Sequence, residues 1–233
     1  MATLIAIINC HSRLAYADAQ RETWIPKIPP GLEYKFFLGP SDRTPREDEV
    51  FLQCDDSYGG LPNKVQEVVR WAQARGKDHI LKCDDDVVLI PEKFMNSGYQ
   101  HYDFVGHVNT DRGNVAIPWG FCYTLSRKSM EHVALSALPR NNNDEAWVAH
   151  TLAFHGITLH EDKRYHLYRG RSEDFVTPKK RPLRAPRRDK FDFTIDPVPG
   201  TFAWAMYISW LGYRNLSPER NIEEMKKVFT RTQ

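Results

Sequence analysis

His79-Ile80-Leu81-Lys82-Cys83-Asp84-Asp85-Asp86-Val87-Val88-Leu89-Ile90 is an apolar run, three adjacent carboxylates and a second apolar run. Three neighbouring carboxylates repel one another, and the low dielectric at the tip of a buried strand makes that repulsion costly unless a cation neutralises it. Oxygen-only ligands at a strand end suit Mg²⁺ or Mn²⁺, ions that keep positions open for phosphate oxygens. The pattern therefore reads as a divalent metal site that receives a diphosphate. The competing reading is a solvated acidic turn between two strands, because an isolated DDD or DxD match is weak.

On the N-terminal side of this stretch, Leu4–Ile8 reads as a buried first strand, with helix around Ala15–Thr23 and strands at Tyr34–Leu38 and Val50–Gln53. A helix opens at Gly60-Leu61-Pro62 and closes at Gly76. Its apolar stripe is Leu61, Val65, Val68, Val69 and Ala72, with Lys64 and Trp71 lying off it. On the C-terminal side, Phe104–His107 and Trp119–Leu125 read as strands, with helix from Arg127 onward. Asn141-Asn142-Asn143 predicts the cap of a helix over Asp144–Phe154 that Gly156 ends. Ile157–Leu159 reads as a strand, Thr201–Tyr213 as helix, and Glu219–Phe229 as a last amphipathic helix. Strands alternating with helices predict an α/β fold with a mainly parallel twisted sheet, whose ligands collect at the carboxyl ends of the strands. The aspartate triplet lies at such an end.

The 233 residues, 41% hydrophobic, fit one large domain with an appendage. The expected division is a catalytic body over 1–162, a basic Pro/Arg-rich arm over 163–190 and a helical segment over 191–233. The four cysteines form no CxxC pair and predict buried free thiols. No stretch approaches the ~18–20 apolar residues of a membrane span, and the N-terminus reads as a strand rather than a leader, so a cytoplasmic protein is expected. The net charge of +2 conceals an asymmetry. Residues 163–190 hold eleven basic and three acidic side chains, a balance of +8, and the rest of the chain carries −6. Within the arm, Lys179, Lys180, Arg181, Arg184, Arg187 and Arg188 are interleaved with prolines. They read as a solvated linker, a flap over a diphosphate, or contacts to nucleic-acid phosphates.

Three segments in order, Arg21-Glu22-Thr23-Trp24, Asp56-Ser57-Tyr58-Gly59-Gly60-Leu61-Pro62-Asn63-Lys64 and Leu81-Lys82-Cys83-Asp84-Asp85-Asp86-Val87, resemble the motifs of the β-1,3-galactosyltransferase and fringe-like glycosyltransferases, glycosyltransferase family 31. Pro118–Ser126 looks like a shortened form of a later family segment, and Asp144-Glu145-Ala146-Trp147-Val148-Ala149 is similar to its E-D-V-x-x-G. The resemblance covers roughly residues 1–160. It implies a GT-A, Rossmann-type fold, a UDP-sugar donor, Mn²⁺ and inversion at the sugar carbon. The chain departs from the pattern in its reversed acid pair, in Ala149 for glycine and in Ala17 for an arginine.

On that resemblance, Asp84 and Asp86 are the expected metal ligands, with His166 completing the shell and His155 and His160 as other candidates. Asp85 would contact ribose or sugar hydroxyls, Arg21 and Lys64 the nucleotide, and Trp119 and Gly120 the donor; for Trp119 and Trp147 the other use is core packing. Glu145, or Asp144 in its place, is the expected base. Both also fit a plain helix-stabilising role, since acids in a first turn contribute about 0.3–1 kcal/mol. The expected acceptor is a hydroxymethylated DNA base, a glycan or a small glycoside. The non-enzymatic alternative is a polyanion-binding module on an inactive transferase scaffold.

Overall fold

The computed structural model describes residues 1–112, 115–167, 203–205 and 218–232. The arm residues Lys179, Lys180, Arg181, Arg184, Arg187 and Arg188 lie outside the described residues. The strands are β1 (Thr3–Ile8), β2 (Leu32–Leu38), β3 (Glu49–Phe51), β4 (His79–Asp84), β5 (Val87–Leu89), β6 (Phe104–Arg112), β7 (Val115–Ser126), β8 (His160–Glu161), β9 (Tyr165–Leu167) and β10 (Ala203–Ala205). The helices are α1 (Leu14–Glu22), α2 (Leu61–Ala74), α3 (Pro91–Met95), α4 (Arg127–Leu135), α5 (Asp144–Phe154) and α6 (Pro218–Thr232).

Seven strands form one sheet in the order β3-β2-β1-β4-β7-β6-β8. β3, β2, β1 and β4 run parallel, and β7 is antiparallel to both neighbours. A smaller sheet joins β5, β10 and β9. This is the mainly parallel, helix-flanked α/β architecture expected from the sequence, of GT-A-like type. The strand order reverses direction between β1 and β4, where Ile8 is in register with Asp84. Crevices at such a switch point are where open α/β sheets bind ligands, and the aspartate triplet stands on its rim.

All six residues of β1 are buried because both faces of the sheet are covered. Ile5 and Ile7 join Phe36, Leu38, Leu81 and Trp24 in one core; Leu4, Ala6 and Ile8 join Phe37, Val65, Val69 and Leu152 in the other. Each fully buried Leu, Ile, Val or Phe contributes about 1.5–3 kcal/mol, so the site rests on a well-buried part of the sheet. The helix stops are those the sequence predicts. Gly76 and Gly156 take φ of +68° and +74°, and the Asn143 side chain accepts from Ala146 N at 2.7 Å. On α6, Met225 and Val228 are buried in the same core as Trp24.

Three local expectations are corrected. The strand expected at Ile157–Leu159 forms instead at His160–Glu161, because that is where the chain pairs in parallel with Val105 and Gly106. Within Thr201–Tyr213, Ala203–Ala205 is a strand rather than helix, paired between β5 and β9. Lys64 is off the apolar stripe but not in solvent: its ammonium turns inward to Asn9 O at 2.8 Å and to Asp56.

Candidate active site

A cleft of about 590 Å³ opens at the carboxyl ends of β1 and β4. Its walls include Asn9, Cys10, Arg13, Asp56, Tyr58, Lys64 and the triplet Asp84, Asp85 and Asp86. The triplet ends β4 at Asp84 and turns through Asp85 and Asp86 into β5, and α1 with the residues after it holds that turn. Gln20 Nε2 donates to the carbonyls of Asp84 (3.3 Å) and Val87 (3.0 Å), and Trp24 Nε1 donates to Val87 O at 3.1 Å. The Arg21-Glu22-Thr23-Trp24 segment is therefore scaffold. Arg21 is not among the residues lining the cleft. Its guanidinium is engaged by Asp48, Asp18 and Glu49 and stacks over Phe36.

The three aspartates have different partners. Asp85 is nearly sealed and fully engaged: Arg13 Nε and Nη2 reach Oδ1 at 3.0 and 2.6 Å, while Arg13 Nε and Asn9 Nδ2 reach Oδ2 at 2.9 and 2.7 Å. The ribose or sugar contact expected of Asp85 meets a carboxylate already taken up by a guanidinium. Asp84 accepts from the buried Lys82 Nζ at 2.6 Å. Among the described residues, the basic side chain paired with Asp86 is Arg13, at 3.5 Å. Burial pushes the Asp84 carboxyl up to about 6, against the pull of Lys82. Burial, with Asp85 and Asp84 beside it, pushes Asp86 up to about 7. Such shifts mark carboxylates whose charge is under-compensated by the protein.

Lys82 ties the triplet to the second acid pair. Its ammonium also donates to Gly120 O and lies 3.7 Å from Asp144 Oδ2, which receives the Tyr123 hydroxyl at 3.3 Å. Asp144 is thus buried, its side chain held between Lys82 and Tyr123. Its neighbour Glu145 is pushed up to about 7 by burial and by the Asp144 charge. Glu145 lies against the bare Cα of Gly120, where a Cβ would come 2.9 Å from Oε2. A side chain at position 120 would push that carboxylate aside, a shift the flexible end of Glu145 can make. Tyr58, on the cleft rim, has its hydroxyl raised by burial and then by the charges of Glu145, Asp144 and Asp84; neither Glu145 nor Asp144 is among the residues lining the cleft.

Asp56 and Lys64 form the opposite wall. Asp56 accepts from His11 N at 2.8 Å and Gly39 N at 2.6 Å, and pairs with Lys64. Trp119 packs partly buried against the core, and Trp147 is pinned by its indole N–H to Ala137 O at 2.9 Å. His155 stacks on His132, and His160 stacks on Tyr102 at the far edge of the sheet. His166 lies on β9 in register with Trp204, itself in register with Val88 just past the triplet. Among the described residues, no group of three or more His, Cys, Asp or Glu side chains forms a ready-made metal cage. Two carboxylates short of positive charge at a strand end fit a hard cation that takes its remaining ligands from phosphate and water. Sequence reasoning missed Arg13 and Asn9; their signal was position alone, in the loop after the first parallel strand.

No family model matches the chain, and no curated protein matches it. Among solved structures, a glycosyltransferase involved in the glycosylation of the major capsid of PBCV-1 is similar over 97% of this chain and 100% of its own, at 11% identity and a TM-score of 0.56. A nucleotide-diphospho-sugar transferase assignment accompanies a second similar structure, from Desulfovibrio desulfuricans G20 (10% identity, 70% of this chain, 80% of that one, TM-score 0.47). A third is A197 from STIV (13% identity, 68% and 80%, TM-score 0.40). The first of these supports the GT-A-like fold. Among the described residues, no helix is long and apolar enough to cross a membrane.

Proposed function

We propose that this chain is a metal-dependent glycosyltransferase that moves a hexose from a UDP-sugar to an acceptor hydroxyl with inversion. The observation that carries this reading is the pair Asp84 and Asp86, under-neutralised and raised in pKa, on the rim of the cleft at the switch point of the sheet. The fold shared with the capsid glycosyltransferase of PBCV-1 supports it, as do the three ordered sequence motifs.

Asp84 and Asp86 would hold Mn²⁺ or Mg²⁺, which supplies positive charge against the diphosphate as the sugar–phosphate bond breaks. Whether His166 joins them is part of the same proposal. Glu145 takes the acceptor hydroxyl's proton. A carboxylate with a pKa near 7 matches a base working at neutral pH better than an ordinary glutamate does. The oxygen so activated attacks the sugar carbon from the face opposite the phosphate, and the nucleoside diphosphate leaves with the bonding electrons. Asp144 and Lys82 position this machinery: Lys82 bridges Asp84 to Asp144, so the metal end and the base end share one buried cation.

The acceptor reading is a hydroxymethylated DNA base, on the strength of the basic run from Lys163 to Lys190. The test is UDP release from UDP-glucose and UDP-galactose with Mn²⁺, with and without chelator, then with hydroxymethylated DNA, plain DNA or glycans added. Chelator-sensitive release stimulated by hydroxymethylated DNA is the expected result. Stimulation by glycans alone would move the acceptor. No release with any donor or metal would favour a polyanion-binding module.

A further inference from the structure

We propose that Arg13 is the protein's own cation for the donor's diphosphate, and that Asp85, the middle carboxylate of the triplet, is its holder rather than a metal ligand. This rests on the nucleotide-sugar reading above and adds to it a residue that no motif indicated.

The argument begins with how the cations near the cleft are used. The side chain of Lys64 is 2% exposed, with its ammonium shared between Asn9 O and Asp56. The side chain of Lys82 is also 2% exposed, shared among Asp84, Gly120 O and Asp144. Lys64 borders the cleft and Lys82 does not, and both ammoniums are taken up by protein oxygens. Arg13 lines the cleft with its side chain 36% exposed. One edge of its guanidinium, Nε and Nη2, is locked onto Asp85, and its plane lies over the Tyr16 ring at 4.0 Å. The Nη1 end carries no hydrogen bond among the described residues. A guanidinium fixed on one edge and open on the other is pre-organised to donate to a phosphate oxygen, at little cost in side-chain entropy.

The geometry of Asp85 points the same way. Its carboxylate receives four close approaches from three donor nitrogens of Arg13 and Asn9, and its side chain is 5% exposed, so little of it is left for an ion. Asn9 locks the arrangement by donating to both Asp85 Oδ2 and Arg13 O. Arg13 Nη2 also lies 3.5 Å from Asp86, which places the guanidinium beside the proposed metal carboxylate. A diphosphate bridging the ion and Arg13 would have its charge met from both sides as the sugar leaves.

The experiment measures binding of UDP, GDP, CDP and ADP, and of the monophosphate of whichever binds best, to wild type, Arg13→Gln, Arg13→Lys, Asp85→Asn and the Arg13→Gln/Asp85→Asn double variant, all at saturating Mn²⁺. Mn²⁺ binding without nucleotide is read in parallel by electron paramagnetic resonance. Arg13→Gln should weaken the diphosphate by about 10–100-fold, the size of a lost charge-assisted hydrogen bond, and the monophosphate by much less. Asp85→Asn should follow in the same direction while leaving nucleotide-free Mn²⁺ binding unchanged, and the double variant should be no worse than Arg13→Gln alone. Arg13→Lys keeps the charge without the fork, should fall between, and carries the test if the glutamine variant does not fold. Equal losses for mono- and diphosphate, or wild-type diphosphate affinity in Arg13→Gln, would overturn the assignment of Arg13. Lost Mn²⁺ binding in Asp85→Asn would make Asp85 a ligand and overturn its role as holder. Wild type that binds none of the four diphosphates would instead remove the nucleotide-sugar reading, and this inference with it.

Discussion

Two depressions of similar volume open at opposite ends of β4, about 620 Å³ beside its first residue and about 590 Å³ beside its last. At the first, every acid has a near partner. Asp78 accepts from Ala2 N at 2.8 Å and pairs with Arg127 at 2.8 Å; Asp103 accepts from Ser126 Oγ at 2.7 Å and pairs with Lys128 at 3.1 Å. The backbone N–H of Ala2 holds Asp78 below the usual carboxylate range, and Ser126 and Lys128 do the same for Asp103 against a burial penalty. At the last residue of β4 the sign reverses, and Asp84, Asp86 and Glu145 are all pushed up. The same strand thus ends once in a satisfied charge network and once in an unsatisfied one. The first kind contributes to stability; the second works against it and is retained where a ligand supplies the missing charge.

That contrast can be broken experimentally. The largest effect is expected from Glu145→Gln, which should lower kcat about 10²–10⁴-fold while leaving nucleotide affinity within a factor of two. Loss of nucleotide binding in that variant would mean Glu145 belongs to the donor site. Next is Asp86→Asn, expected to lower turnover about 10²–10³-fold and yet, in metal-free buffer, to melt at or above the wild-type temperature, because one member of a repelling set is neutralised. A drop of many degrees would place Asp86 in the stabilising class. Because the Glu145 carboxyl must be ionised to accept a proton and its pKa lies near 7, kcat should rise by roughly tenfold per pH unit below 7 and level off above it. A plateau already reached at pH 5.5 would remove Glu145 as base. The smallest effect is expected at the other end of the strand. Asp103→Ala should cost about 1 kcal/mol, a few degrees of melting temperature, with no change in turnover; altered kinetics there would erase the distinction between the two ends.

Much of this was legible in the chain. The triplet, the parallel alternation and the helix stops at Gly76 and Gly156 each follow from a local rule: charge beside apolar runs, period, and a positive φ that favours glycine. Where pairing between distant segments decides, local rules failed. Ala203–Ala205 becomes a strand only because β5 and β9 flank it, and nothing in Thr201–Tyr213 announces that. The different surroundings inside the triplet were equally hidden. Asp84, Asp85 and Asp86 are identical in sequence, and their different partners are Lys82, Arg13 and Asn9, of which only Lys82 is nearby in the chain. Arg21 shows the converse: a motif arginine whose partners, Asp48 and Glu49, hold the scaffold rather than line the cleft.

The most direct measurement is a Mn²⁺ titration followed by electron paramagnetic resonance, with and without UDP, on wild type and Asp86→Asn. Wild type should bind the ion weakly alone and at least about tenfold more tightly with the nucleotide, because two carboxylates and a diphosphate complete a shell that neither completes separately; Asp86→Asn should show little of either. If Mn²⁺ remained free in solution with wild type and UDP together, or if Asp86→Asn bound it as well as wild type, the carboxylates at the end of β4 would not be a metal site.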